Sequence, residues 1–198
     1  MIKLFSQPEG ASPITDEQKE GLKEKWVSTQ EELNQIEQNN ILLAQEWLFS
    51  SRKKNTDFAD ISFIVKLHKK MLGNVYSWAG NLRATQTNIG DPPHLIRQNI
   101  ASLRLDVHTW IENKAFSQDE IAVRFHHKLV CIHPFDNGNG RICRLLADYI
   151  NEQFFDNEPF SWGSDDLFVN GTARSTYMNA IYKANNEQIE DLVAFARN

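Results

Sequence analysis

Apolar residues recur at helical spacing along most of the chain. Over residues 31–49, Leu33, Ile36, Leu43 and Trp47 follow a period near 3.6, with Ile36 and Leu43 marking the side turned inward. A second helix is predicted over 58–72, ending before Gly73. A third covers about 95–112, with Ile96, Ile100, Leu103, Val107 and Trp110 as its buried stripe. Ser117 to Glu120 read as a capping box that opens a fourth helix. Ile121, Phe125, Leu129 and Ile132 carry that helix inward. It stops near His133, because the residue before Pro134 disfavours helix. A fifth helix starts at Gly140 or Arg141, with Ile142, Leu145, Leu146 and Tyr149 inward, and two more cover about 172–184 and 187–196.

One stretch breaks the pattern. Within residues 84–96, Thr85, Thr87 and Ile89 suit a short strand, and Gly90, Asp91, Pro92 and Pro93 form a strong turn signal. The expected fold is therefore all-α, with a small β-hairpin or extended loop on a helical body. Residues 1–20 hold Pro8, Gly10 and Pro13 among polar positions and read as an irregular arm. The chain of 198 residues suits one domain, or one domain with an added arm.

Composition narrows the classes. Formal net charge is −5 and no basic stretch stands out, which argues against a nucleic-acid surface. Phosphate binding stays open, because it needs local and not global positive potential. Two cysteines, Cys131 and Cys143, give no disulfide framework and are expected to be reduced thiols of a cytoplasmic protein. The apolar content near the N-terminus is too short and broken for a leader, and no later run could span a membrane. A homo-oligomer is compatible with the sequence.

The candidate chemistry lies between His133 and Arg144. A buried helix ends, a glycine-rich loop follows, and a new helix starts. Gly138 and Gly140 let the backbone turn tightly and approach a ligand closely. The N–H groups at the new helix start form an anion site. Arg141 and Arg144 project from neighbouring positions on its first turn, and two guanidinium groups beside an anion hole suggest a polyphosphate. His133 enters the same loop and can accept a proton near neutral pH.

This segment resembles the Fic signature, His-x-Phe-x-(Asp/Glu)-Gly-Asn-Gly-Arg-x-x-Arg, with His133, Phe135, Gly138, Asn139, Gly140, Arg141 and Arg144 in place. At residue frequencies of about one in twenty, seven such matches arise by chance about once in 10⁹ windows. The stretch from Val75 to Arg83 is similar to the lead-in to the family's flap. Residues 11–14 and 32–41 resemble a bacterial subgroup called mobile mystery protein B. The resemblance implies a protein adenylyltransferase, with a Fic domain over 51–198 and an arm with an inhibitory helix over 1–50.

In that family His133 would deprotonate the hydroxyl of a target protein (Tyr, Thr or Ser), whose oxygen attacks the α-phosphate of ATP. Phe135 would anchor the loop. The backbone at Gly138 and Gly140, with Asn139, would hold phosphate oxygens. Arg141 and Arg144 would neutralise the β- and γ-phosphates. Tyr177 is expected beside the base, or else in the core. Thr87, Asn88 and Ile89 would dock the target by strand pairing. Glu37 stands where the family carries an inhibitory glutamate, at the border of its helix's buried side. Such a carboxylate needs a partner, and Arg144 is the expected one.

Two departures matter. Asn137 occupies the family's acidic Mg²⁺-ligand position, and an amide oxygen brings no negative charge. Gly140 stands where the kinase-like branch has lysine, which favours adenylyl over phosphoryl transfer. The alternatives are another group transferred on the same fold, or a nucleotide-binding interaction protein with little catalysis.

Overall fold

The structure is a computed structural model that describes residues 21–27, 29–50, 57–163 and 172–198. The expected arm over 1–20 lies outside the described residues. Helix α1 spans Gln30–Ser50. A reciprocal capping box opens it: the Thr29 N–H donates to Glu32 Oε2 at 2.9 Å and the Glu32 N–H to Thr29 Oγ1 at 3.2 Å. Its buried stripe is Leu33, Glu37, Ala44 and Leu48, while Leu43 is 59% exposed. The expectation of Leu43 inside is thus corrected. Eleven residues at about 100° each return to within about 20° of the starting face, so Ala44 and not Leu43 sits under Leu33.

Helix α2 spans Ile61–Leu72 and is capped by Asp60, whose carboxylate accepts from the Ser62 N–H at 2.8 Å. Phe58 lies before the helix, buried edge-on against Phe125. A single 3₁₀ turn, Pro93–Leu95, leads into α3, Ile96–Glu112. Helix α4 spans Gln118–Ile132, capped by Ser117. Helix α5 spans Asn139–Tyr149 and runs into a π turn, Ile150–Phe154. Helices α6, Thr172–Ala184, and α7, Glu190–Arg197, complete the described body.

Helix α4 lies at the centre, against α3, α5 and α7, while α1 packs along α2 and touches α5. Phe125, Leu129 and Ile132 fill this core together with Ile100, Leu103, Val107, Ile142 and Leu146, and Ile121 is buried as well. The hairpin expected over 84–96 is absent. Among the described residues the one strand-type pairing is an isolated antiparallel bridge between Leu22 and Tyr76. The segment instead runs as an irregular arch, because its carbonyls at Thr85 and Asp91 accept from the Arg83 guanidinium and not from a facing strand. Pro92 and Pro93 have no N–H to offer a ladder. Cys131 is half-buried and Cys143 buried, neither in a disulfide. No described helix is long and apolar enough to cross a membrane.

Candidate active site

The chain between α4 and α5 is fixed from several sides. His133 ends α4 in the left-handed conformation, φ 53° and ψ 62°, which turns the chain abruptly out of the helix. Phe135 then inserts into the core, fully buried, with its ring stacked on His68 at 3.7 Å. His68 is itself tied at both nitrogens. Its Nδ1 accepts from the Gly80 N–H at 2.9 Å, so Nε2 carries the hydrogen and donates to the Asn137 carbonyl at 3.0 Å. Burial, foremost, pushes its pKa down to about 3, and the ring is neutral. His68 went unread in the sequence. The available signal was a histidine on the same helical face as Ile64, Leu67 and Met71.

Asn139 and Asn137 close the loop on itself. The Asn139 side chain accepts from the Phe135 N–H at 2.9 Å and donates to the Phe135 carbonyl at 2.6 Å. Asn137 Oδ1 accepts from the Gly138 N–H at 2.7 Å. Both amides were expected to face ligands, phosphate for Asn139 and Mg²⁺ for Asn137. The structure turns both inward onto the loop's own backbone. A loop this tight leaves its N–H groups without a helix partner, and short amide side chains satisfy them locally.

The two glycines differ. Gly138 caps α5 at φ 80°, and a Cβ there would lie 2.8 Å from Leu72 Cδ1, so both backbone and packing demand glycine. At Gly140 the conformation is helical, and a Cβ would meet only Arg144 Nη1 at an ordinary 3.5 Å. Nothing in the fold requires glycine there, although it weakens a helix by about 1 kcal/mol against alanine. Open space over a helix's first turn is where an anion would approach.

His133 is 7% exposed. Its pKa is lowered to about 4, first by burial and then by the Arg83 charge, against a hydrogen bond with the Val130 carbonyl. The imidazole is therefore neutral at physiological pH and able to take a proton.

The arginines point to different neighbours. Arg141 Nη1 meets Glu37 Oε2 at 2.5 Å, with both side chains largely buried. The Tyr76 hydroxyl donates to the other carboxylate oxygen at 2.7 Å. The partner expected for Glu37 was Arg144, and it is Arg141. Arg141 lies on the α5 turn that faces α1. Arg144, three residues on, lies over the Tyr177 ring on α6 at 5.8 Å. Tyr177 takes the core alternative: it is buried, its hydroxyl 3.1 Å from His126 Nε2 and its ring against Phe195.

Thr87, Asn88 and Ile89 lie on the arch, with Asn88 and Ile89 exposed. Gly90, at φ 111°, packs so closely that a Cβ would fall 2.5 Å from His133 Cβ. Arg83, read in the sequence only as the end of the lead-in to the flap, is 3% exposed and anchors the arch. Among the described residues no cluster of three or more His, Cys, Asp or Glu could hold a metal ion.

Residues 58–150 match the Fic/DOC family. The matching stretch takes in the whole segment from His133 to Arg144. The chain is 24% identical to a protein adenylyltransferase Fic from Nematostella vectensis over 98% of its own length and 50% of that protein. It is 33% identical to protein adenylyltransferase fic-1 of Caenorhabditis elegans over 49% of its length and 20% of that protein. The chain thus spans half or less of these curated relatives. Among solved structures it resembles Fic-1 of C. elegans, with a TM-score of 0.62 and 26% identity, over 82% of this chain and 48% of that one. BepC of Bartonella tribocorum, solved with bound AMPPNP, shares the fold at a TM-score of 0.65 and 14% identity, over 92% of this chain and 98% of that one.

Proposed function

We propose that the chain is an enzyme that transfers AMP from ATP to a Tyr, Thr or Ser hydroxyl of another protein. The observation that carries this reading is the pairing, in one pinned loop, of a buried neutral imidazole with an unobstructed helix start flanked by two arginines. The curated relatives named protein adenylyltransferase support it.

In this mechanism the triphosphate lies over the first turn of α5, its oxygens on the N–H groups around Gly140 and its charge facing Arg141 and Arg144. His133 takes the proton of the target hydroxyl. The oxygen forms a bond to the α-phosphorus, the bond from that phosphorus to the bridging oxygen of the β-phosphate breaks, and pyrophosphate leaves. The arginines stabilise the charge that builds on the leaving group. The target segment is aligned by the arch at Thr87, Asn88 and Ile89; the exposure of Asn88 and Ile89 and the packing of the adjoining Gly90 on His133 suit docking.

The residues present do not make a protein-held Mg²⁺ site, since Asn137 is neutral and its oxygen accepts from Gly138. Any Mg²⁺ enters as part of the nucleotide substrate. This same observation favours a second reading, a nucleotide-binding interaction protein with little catalysis.

Glu37 acts as the inhibitor, through Arg141. While the pair holds, one of the two phosphate-binding guanidinium groups is neutralised, and ATP meets a half-formed site. The reading extends to a cytoplasmic location, which two thiols outside any disulfide fit. It also extends to a bacterial subgroup of the family, supported by the resemblance of residues 32–41.

Incubation with α-labelled and γ-labelled ATP tests the core of this reading. Label reaching protein from the α position alone is expected. Label from γ alone would mean phosphoryl transfer, and no label despite ATP binding would favour the second reading.

A further inference from the structure

Arg83 belongs to neither the signature nor the arch, yet it joins the two. Its side chain donates four hydrogen bonds to four backbone carbonyls. Nε reaches His133 O at 2.5 Å and Nη2 reaches Ile132 O at 3.2 Å. Nη1 reaches Thr85 O at 2.9 Å, and Nη2 also reaches Asp91 O. The first pair of carbonyls ends helix α4, where the backbone leaves acceptors unsatisfied and a cation is favoured. The second pair are the two feet of the arch. Main-chain bonds run alongside: the Arg83 N–H donates to Pro134 O at 3.0 Å and the Asp91 N–H to Ile132 O at 3.3 Å. Asn99 fastens the far foot from α3 through Asp91 Oδ2 at 2.6 Å.

We propose that Arg83 is a positioning residue that locks the target-docking arch to the backbone of the base His133, so that arch and imidazole move as one body. The proposal rests on the adenylyltransferase reading for its consequence but not for its geometry. Only a planar guanidinium can do this, because its fork of five donors spans four carbonyls on two segments. An ammonium is a point charge with three donors and cannot reach both feet and the helix end together. With the lock intact, a target backbone bound along the arch presents its hydroxyl at a fixed distance from the imidazole. Small misplacements of this kind lower rate far more than they lower affinity. On the adenylyltransferase reading ATP binds over the first turn of α5, and none of the four carbonyls that Arg83 holds lies on that helix, so nucleotide binding is independent of the lock.

The test uses the full chain with Arg83→Lys. Three quantities are read: AMPPNP affinity by calorimetry, self-labelling from α-labelled ATP in a Glu37→Gly background, and amide hydrogen exchange. Expected are an AMPPNP affinity within about twofold of wild type, labelling at least about tenfold slower, and exchange of residues 84–91 at least about tenfold faster while α3 and α5 are unchanged. Arch amides that exchange at the wild-type rate in a folded Arg83→Lys protein would overturn the proposal. So would equal losses in nucleotide binding and labelling, which would mean a general structural defect. The exchange readout needs no activity. Absence of label from wild type and Glu37→Gly would therefore count against the adenylyltransferase reading alone. Should Arg83→Lys not fold, wild-type exchange decides. The Arg83 side-chain Nε–H and the amides of Arg83 and Asp91 should open together, and an arch that opens while the Nε–H stays protected would overturn the lock.

Discussion

His133 sits in a backbone conformation that few non-glycine residues adopt, at the one point where α4 must stop and the loop must start. Pro134 forbids helix from the following residue, and the left-handed turn throws Phe135 directly into the core. The imidazole is thereby held by its own backbone and by the arch packed on it. Its replacement tests chemistry more than stability. His133→Ala should abolish label transfer, at least about a hundredfold, since positioned general bases contribute that much. AMPPNP affinity should change little, because the ring acts on the nucleophile and not on phosphate. Near wild-type labelling in a folded His133→Ala protein would remove it as the base. Asn139 teaches the converse. A residue shared with a motif can serve the loop itself, and here its side chain staples Phe135 through that residue's N–H and carbonyl.

At the scale of elements, the helices were legible because each buries one face. The apolar stripes of α3, α4 and α5 lie where their spacing put them. Ser117 caps α4 as its capping box required. Trp162 and Glu187, both at positive φ, belong to connections whose shape no periodicity reports, and the last helix starts at Glu190 and not near Glu187 for that reason. The choice between hairpin and extended loop over the arch was not legible, because alternation of Thr85, Thr87 and Ile89 fits a strand as well as a loop. What decided it was tertiary: a buried arginine with nearly fifty residues of chain between it and the carbonyls it holds on α4. The same blindness applies to Glu37. Its burial border was readable, but the choice between Arg141 and Arg144 depends on how α1 crosses α5.

Two predictions belong to these elements. Glu37→Gly should raise self-labelling by an order of magnitude or more, by freeing Arg141 for phosphate. Tyr76→Phe should raise it in the same direction but less, since it removes one of the carboxylate's two side-chain bonds and leaves the ion pair. Combining them should add nothing to Glu37→Gly, the signature of one pathway. Unchanged labelling in both folded variants would take Glu37 out of the mechanism. On the arch, Asn88→Pro should lower modification of a target while AMPPNP binding holds. Equal effects on both would count against docking there.

For the whole molecule the histidines set the acid limit. His68 is held down to about 3 and His133 to about 4, and His126 well below its ordinary value, each chiefly by burial. These folded-state values lie under the unfolded value near 6.5, so below that pH the unfolded chain binds protons that the folded chain refuses. Stability is then greatest above about 6.5 and falls as the pH drops toward 4. Asp148 opposes this. Burial raises its carboxyl to about 7, against the bond it accepts from Trp162 Nε1 at 2.8 Å. Its folded pKa exceeds the unfolded value of 3.8, so the contribution is complete at low pH and is lost as the pH rises through 7. These three histidines, with His127 also lowered chiefly by burial, outweigh one aspartate, so the unfolded chain takes up the excess of protons and stability falls between pH 6 and 5. Urea unfolding at pH 7, 6 and 5 should show that decline. Asp148→Asn should steepen it, because the amide still accepts from Trp162 but no longer titrates. A stability flat or rising from pH 7 to 5 would contradict the assignment. The consequence for activity follows from the order of the two events. His133 does not protonate until about pH 4, whereas the fold weakens from about pH 6. The acid limb of any activity profile should therefore track unfolding and move with added AMPPNP or with Asp148→Asn, and an acid limb unmoved by either would make titration of the base its cause.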